Sequence, residues 1–336
     1  MTSPGTTTVA GPGGVPLDVV VLALAMPVRF RGITVRETAL LRGPDGAWGE
    51  FCPFPEYDDE EAAPWLRCAL ESALGPAWPA PRRTSVPVNA TVPAVGPKHA
   101  HRIVVNSGAS TAKVKVAEAG QTLADDLARV EAVRAALGPA GRVRVDANGR
   151  WDVGAAVAAV AALDRAAGGL EYVEQPCATV EELAAVRRRV DVPVAADESI
   201  RRAADPMRVV AAEAADVAVV KVAPLGGVRA ALEIAARIGL PCVVSSAVES
   251  SVGLAAGLAL AGALPELPHA CGLGTTSLLA DDPVAEPFVP VHGMLPVPDR
   301  APAFVGTTDQ QASPDRVAWW LDRLSRVLRR VDDVVR

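Results

Sequence analysis

Aromatic residues are scarce. Phe, Trp and Tyr together make up 4 % of 336 residues, so the core has to be built from Ala, Val and Leu. Long apolar runs are missing as well: the longest, Val252–Leu264, has thirteen residues and is interrupted by glycine. A membrane-crossing helix requires about 20. No block of Lys and Arg stands out, and 33 basic against 39 acidic residues give a formal net charge of −6. Without a basic patch there is no electrostatic footprint for nucleic acid. Five cysteines (Cys52, Cys68, Cys177, Cys242 and Cys271) lie far apart with no C-x-x-C pair. That excludes a disulfide framework or a zinc ribbon and suits buried, reduced thiols in a cytoplasm. No charged stretch followed by an apolar run opens the chain, so no secretory leader is expected. Neither G-x-G-x-x-G nor G-x-x-x-x-G-K-[ST] occurs, which argues against an open nucleotide-binding sheet.

What is present is half hydrophobic by composition, enough for a sizeable core. Residues 1–16, rich in Gly, Pro and Thr, are expected to form a flexible tail. From 17 to 87 short β-rich runs (Gly32–Leu41), a Gly43-Pro44-Asp45-Gly46 turn and a helical stretch from about Glu60 to Leu74 read as a small α+β unit. From Val88 onward, Val-rich runs alternate with Ala/Leu/Arg-rich helical segments such as Leu123–Leu137, Val153–Ala167, Val180–Arg189 and Val228–Ile238. The runs are Val88–Val92, Ala112–Val116, Arg142–Asp146, Leu170–Glu174, Val192–Asp197, Val217–Lys221 and Cys242–Ser246, with a last turn around His269–Thr275. Polar residues closing them fall at 115, 146, 174, 197, 221, 245 and about 271, in steps of 31, 28, 23, 24, 24 and 26. Each step holds one strand, one helix and two short loops. With the run at 88 the count is eight, the number that closes a barrel. A Pro-rich stretch then leads to a helix at Pro314–Val335, whose Trp319, Trp320, Leu324, Leu328 and Val331 form one apolar stripe for packing.

In a barrel the C-terminal strand ends share one mouth, where active sites sit. Here that places together Lys113, Lys115, Asp146, Asn148, Glu174, Asp197, Lys221 and the serines of Ser245–Ser251. A lone strand-end carboxylate ordinarily caps the next helix or pairs with a surface Arg. Three on successive strands, flanked by lysines, form a converging anionic set that needs a cation. All-oxygen donors with room for substrate suit Mg²⁺. Lys113 and Lys115, two apart on a strand, share a face, and Lys221 stands four strands on. A substrate would sit between Lys115 and Lys221, and burial beside positive charge favours the neutral amine that a base needs. His99 and His101 fall in a polar stretch expected to be a surface loop with no ligand role.

The set Lys113-Val-Lys115, Asp146-Ala-Asn148, Glu174-Gln175-Pro176, Ala196-Asp197-Glu198-Ser199 and Lys221 resembles the enolase superfamily, in its muconate-lactonizing-like branch. The resemblance runs from about residue 17 over nearly the whole chain. It implies an α/β fold: a (β/α)7β TIM-like barrel over 88–289, with an α+β capping domain from 17–87 that the segment 290–336 completes. Within the branch the chain is most similar to the o-succinylbenzoate synthase family. That likeness rests on Phe30-Arg31-Gly32-Ile33 in a lid-like loop, Trp48-Gly49-Glu50, Val88-Asn89-Ala90-Thr91, Ser245–Ser251 followed by Gly253, and Gly272-Leu273-Gly274-Thr275.

The resemblance implies dehydration of a small-molecule carboxylate in menaquinone biosynthesis, through a metal-stabilised enediolate. Asp146, Glu174 and Asp197 would hold Mg²⁺ or Mn²⁺. Lys115 would be the base and then the acid, Lys221 would stabilise the enediolate, and Lys113 would support Lys115 and the substrate carboxylate. Arg144, Asn148, Ser245 and Ser246 would stand behind these groups or touch substrate. The same machinery serves 1,1-proton transfer, so an N-succinylamino acid racemase or a dipeptide epimerase is an open rival. The Asp-x-Asp typical of the epimerases near the last strand is absent from His269–Thr275. A barrel that binds a metal and an acid without turnover is the third reading.

Overall fold

The computed structural model describes residues 5–201 and 206–335. The chain opens with an antiparallel sheet of β1 (Thr7–Ala10), β2 (Pro16–Phe30), β3 (Ile33–Arg42) and β4 (Trp48–Phe51), in that order. β2 turns into β3 through Arg31 and Gly32 alone, with φ 50° and 80°, the pair of positive values a two-residue hairpin turn demands. Helix α1 (Asp59–Leu74) starts at Asp58, whose carboxylate accepts the Glu60 and Glu61 N–H groups. It lies so close to β4 that a Cβ on Gly49 would stand 2.0 Å from the Ala69 carbonyl oxygen.

After β5 (Ser85–Pro87) the barrel follows: β6 (Ala90–Val92), α2 (Pro97–Ser107), β7 (Thr111–Lys115), α3 (Leu123–Leu137), β8 (Arg142–Asp146), α4 (Val153–Ala167) and β9 (Leu170–Glu174). Then come α5 (Val180–Arg187), β10 (Val194–Ala196), the short α6 (Glu198–Arg201) and α7 (Met207–Ala211), β11 (Val217–Lys221), α8 (Val228–Ile238), β12 (Cys242–Ser245) and α9 (Ser251–Ala263). β6 to β12 form one parallel sheet in chain order. Capping boxes start two of the helices, Thr122 with Asp125 on α3 and Thr179 with Glu182 on α5. Alternation along the strands sends Tyr172, Ala195, Val217, Val219 and Val243 into one cluster, while Val114, Val145, Val173 and Val244 belong to the larger core. Antiparallel β13 (Met294–Pro296) pairs with β5, and α10 (Pro314–Val335) packs on α1 with Trp320 and Leu324 fully buried.

Three features differ from the sequence reading, and a fourth is an element that reading does not assign. The eighth strand is reduced to two parallel bridges, Ser245 with Gly272 and Val88 with Cys271, which join β12 to the start of the first strand. Residues 7–10 of the expected tail are an edge strand, Thr7 pairing with Val19 and Ala10 with Pro16, because the start of β2 offers them a partner and Thr and Val tolerate a sheet edge. Residues 1–4 of that tail lie outside the described residues. His99 and His101 sit on α2, where Pro97 occupies the first helical position. The apolar run from Val252 is α9, hydrophobic all round because it is buried all round. Among the described residues no helix is long and apolar enough to cross a membrane.

Candidate active site

Lys113, Lys115, Asp146, Glu174, Asp197 and Lys221 are all buried at the C-terminal ends of their strands, and ion pairs knit them into two groups. Lys113 Nζ stands between Asp146 Oδ2 at 3.1 Å and Glu174 Oε1 at 2.8 Å. Lys115 Nζ donates to Asp146 Oδ2 and to Asn148 Oδ1, both at 2.5 Å. Lys221 Nζ donates to Asp197 Oδ2 at 2.6 Å, and Arg201 Nε to Asp197 Oδ1 at 3.0 Å.

Burial alone would raise all three carboxyl groups. At Asp146 it is outweighed by Lys113 and Lys115, and at Asp197 by Arg201 and Lys221, so both are held far below the usual carboxylate range. Glu174 goes the other way: burial and the Asp146 charge push it up to about 7. The two lysines of β7 also diverge. Burial is outweighed at Lys113 by Asp146 and Glu174, which hold it charged, whereas at Lys115 burial, helped by Lys113, prevails and lowers the ammonium.

As the side chains lie, no group of three or more His, Cys, Asp or Glu among the described residues is drawn together so that it could hold a metal ion. The protein's own cations stand between the carboxylates. The donor chemistry nevertheless fits a hard divalent cation. The three carboxylates are all-oxygen donors, and Glu174 Oε2 is buried without a hydrogen-bond partner.

The mouth cavity is small, about 20 Å³. Its floor and walls include Thr91, Lys113, Lys115, Asp146, Asn148, Arg201, Lys221 and the Ser245–Val248 loop, and the hairpin tip adds Phe30 and Arg31. Ser245 Oγ donates to the Gly272 carbonyl at 3.4 Å, and Ser246 Oγ lies 2.5 Å from Thr275 Oγ1. Asn148, at φ 47°, gives its N–H to Asp146 Oδ1 and its Nδ2–H to Glu198. Gln175, at φ 41°, accepts the Asp197 and Ser199 N–H groups on its Oε1.

Of the residues expected here, Glu174, Asp197 and Arg144 do not line the cavity. Glu174 and Asp197 join it through their ion pairs with Lys113 and Lys221, whereas the Arg144 guanidinium turns away, pairing with Glu171 at 2.5 Å and the Ala270 carbonyl at 2.7 Å over the Tyr172 ring. The half-buried Glu171 carboxylate claims it, because the fully buried Arg144 charge needs its counter-ion close. Sequence reasoning missed Arg201. The Asp197–Arg201 spacing of four on a helical turn was the available signal.

Residues 97–302 match the family described as Enolase C-terminal domain-like, and residues 21–73 match Enolase N-terminal domain-like. The o-succinylbenzoate synthase of Thermobifida fusca is 67 % identical over 276 residues, 82 % of this chain and 86 % of its own length. That of Mycolicibacterium smegmatis is 61 % identical over 305 residues, 90 % of this chain and 93 % of its own. Among solved structures, the muconate lactonizing enzyme from Pseudomonas putida superposes with a TM-score of 0.71 at 20 % identity, over 90 % of this chain and 98 % of its own, a likeness of fold.

Proposed function

The chain belongs to the enolase superfamily, and on that premise we propose that it is an o-succinylbenzoate synthase in activity. The reaction dehydrates 2-succinyl-6-hydroxy-2,4-cyclohexadiene-1-carboxylate to 2-succinylbenzoate in menaquinone biosynthesis. The observation that carries the reading is 67 % identity to an enzyme of that name in a chain with both lysines and all three strand-end carboxylates in place.

Asp146, Glu174 and Asp197 would hold a divalent cation, Mg²⁺ or Mn²⁺, which would supply positive charge beside the substrate carboxylate. Lys115, its ammonium destabilised by burial and by Lys113, takes the proton from the carbon next to that carboxylate. Asn148 Oδ1 orients the amine through its 2.5 Å bond. Lys221, four strands on around the ring, holds the charge of the resulting enediolate by its ammonium. Lys115, now carrying the proton, returns it to the departing hydroxyl as water leaves. The electron pair of the broken C–H bond ends in the ring, and aromaticity drives the step forward. Five free, buried cysteines suit a reducing cytoplasm.

The test is an absorbance assay with the cyclohexadiene substrate, run with Mg²⁺ and with excess chelator. Metal-dependent loss of the diene supports the reading. Intact diene, with N-succinylamino acids losing optical rotation, moves the chain to the racemases. No turnover of either, with Mg²⁺-dependent ligand binding, makes it a binding protein.

A further inference from the structure

One wall of the mouth is held in a conformation that its own residues disfavour. Val248, in the loop between β12 and α9, has φ 65°, a region a β-branched residue enters only where its surroundings over-determine it. Those surroundings come from the capping domain. The Val248 side chain is buried in an apolar cluster with Val20, Leu22 and Leu24 of β2. Its carbonyl accepts Arg36 Nε at 3.2 Å, while Nη2 of the same guanidinium donates to the Cys52 carbonyl. Arg36 is itself buried, with its guanidinium over the Phe54 ring at 4.4 Å. Two residues past Val248, Glu50 of β4 accepts the Ser250 N–H at 3.2 Å and the Ser250 hydroxyl at 2.6 Å, and it takes the Gly253 N–H at 2.8 Å. The loop so fixed supplies Ser245, Ser246, Ala247 and Val248 to the cavity wall.

We propose that Arg36 is a positioning residue for the reaction, a strut from the capping domain that keeps Val248 left-handed and thereby sets the Ser245–Val248 wall against the substrate. Its fork is what matters: one donor reaches the strained carbonyl while another is anchored on β4's continuation at Cys52. Lysine has a single compact ammonium and cannot span both. The role is separable from charge, since Arg36 also offsets the buried Glu249 carboxylate and a lysine would still do so.

Arg36→Lys, Val248→Gly and the double variant decide the matter. Glycine takes a φ near 65° without steric cost, so after Val248→Gly the loop no longer needs the strut. Arg36→Lys should lower kcat/KM about tenfold or more in the parent, chiefly through KM, as expected of a misplaced wall. In the Val248→Gly background the same change should cost less than about threefold. A crystal structure of Arg36→Lys should find Val248 at negative φ with the strand-end carboxylates unmoved. If Arg36→Lys folds only in the Val248→Gly background, that is the same rescue read in stability. Equal loss in both backgrounds, parent-like kinetics for Arg36→Lys, or φ unchanged would each overturn the proposal. The kinetic arm rests on the dehydration proposed above. Should the parent not consume the diene, that reading fails while the crystallographic arm still tests the strut.

Discussion

Lys113 and Lys115 lie two residues apart on β7, yet their surroundings drive them in opposite directions. Lys113 is shared between two carboxylates and stays charged, while Lys115 is paired with one carboxylate and faces a lysine neighbour. The division suits one fixed cation beside one proton carrier. Lys115→Ala should lower kcat by about a thousandfold, within the range for loss of a general base, and Lys221→Ala should likewise abolish turnover. Both should keep the parent's melting temperature within a few degrees and still bind Mg²⁺ by calorimetry, and near-normal rates in either would remove it from the chemistry. Asp197→Asn should weaken that Mg²⁺ binding, and an unchanged titration would strike Asp197 from the ligands. Glu174 titrates near 7 when folded against about 4.3 unfolded. The stability it contributes is therefore complete below the unfolded value and is lost as pH climbs through 7. Asp282, raised to about 6 by burial, has the same sign, whereas Asp146 and Asp197 lose stability only in acid. The metal-free protein should accordingly melt lower at about pH 8 than at about pH 5, and Glu174→Gln should remove part of that slope. A parent and variant with identical slopes would show that Glu174 does not carry a proton in the folded chain. These residues were legible because the chain is so poor in lysine. Only four of its 33 basic residues are lysines, and three of them lie on barrel strands, two as the closing residue. Arg144 misled for the opposite reason: its position on β8 is right for the site, but only the fold shows Glu171 beneath it.

Elements whose signal is local were read nearly to the residue, and those defined by a distant partner were not. The bounds of α3, α4 and α8 coincide with the periodicity, since their caps and apolar stripes are written in neighbouring residues. β1 depends on the start of β2 for its pairing, and the eighth strand survives only as bridges to β12 and Val88, so neither had a sequence signature of its own. Trp48-Gly49-Glu50 was visible only as part of a likeness, but the structure gives each residue a physical task. Trp48 packs against Phe304, Gly49 lets α1 close on β4, and Glu50 caps α9. Gly49 permits a specific forecast at this scale. An added methyl would meet the Ala69 oxygen at 2.0 Å and its carbonyl carbon at 2.8 Å, both fixed helix backbone. Gly49→Ala should therefore destabilise the chain by at least about 2 kcal/mol in urea unfolding, despite the usual gain from removing a strand glycine. A loss under about 0.5 kcal/mol would mean that α1 can move off the sheet.

At the scale of the whole molecule, the capping sheet and the barrel jointly enclose the strand-end lysines and carboxylates, and the enclosure is tighter than the proposed substrate allows. A cavity of about 20 Å³ has room for about one water, not for a ring with a succinyl arm. The Phe30 ring lies 5.2 Å from Lys115 Nζ, and Arg31 beside it rests over Phe54, so the β2–β3 tip covers Lys115. The other walls are the strand ends, the Ser245–Val248 loop and residues such as Asn148, Arg201 and Thr275 just past the strands, whereas the tip is joined to its sheet through a register shift between Ala25 and Phe30. Loss of regular pairing there makes it the segment that gives way first. Substrate is therefore expected to enter by displacement of the hairpin tip and to be closed in by its return, which would also keep bulk water from Lys115 during the proposed proton transfer. Hydrogen exchange followed by mass spectrometry tests this directly. Peptides covering residues 27–36 should exchange readily in the free protein and slow by about tenfold or more with 2-succinylbenzoate and Mg²⁺ bound, since closure removes the open state. Peptides from the β1 edge, far from the mouth in pairing, should not respond. Equal protection of the tip with and without product would place the entrance elsewhere in the wall. The fixed Ser245–Val248 loop would then have to be the moving part, against the strut argument.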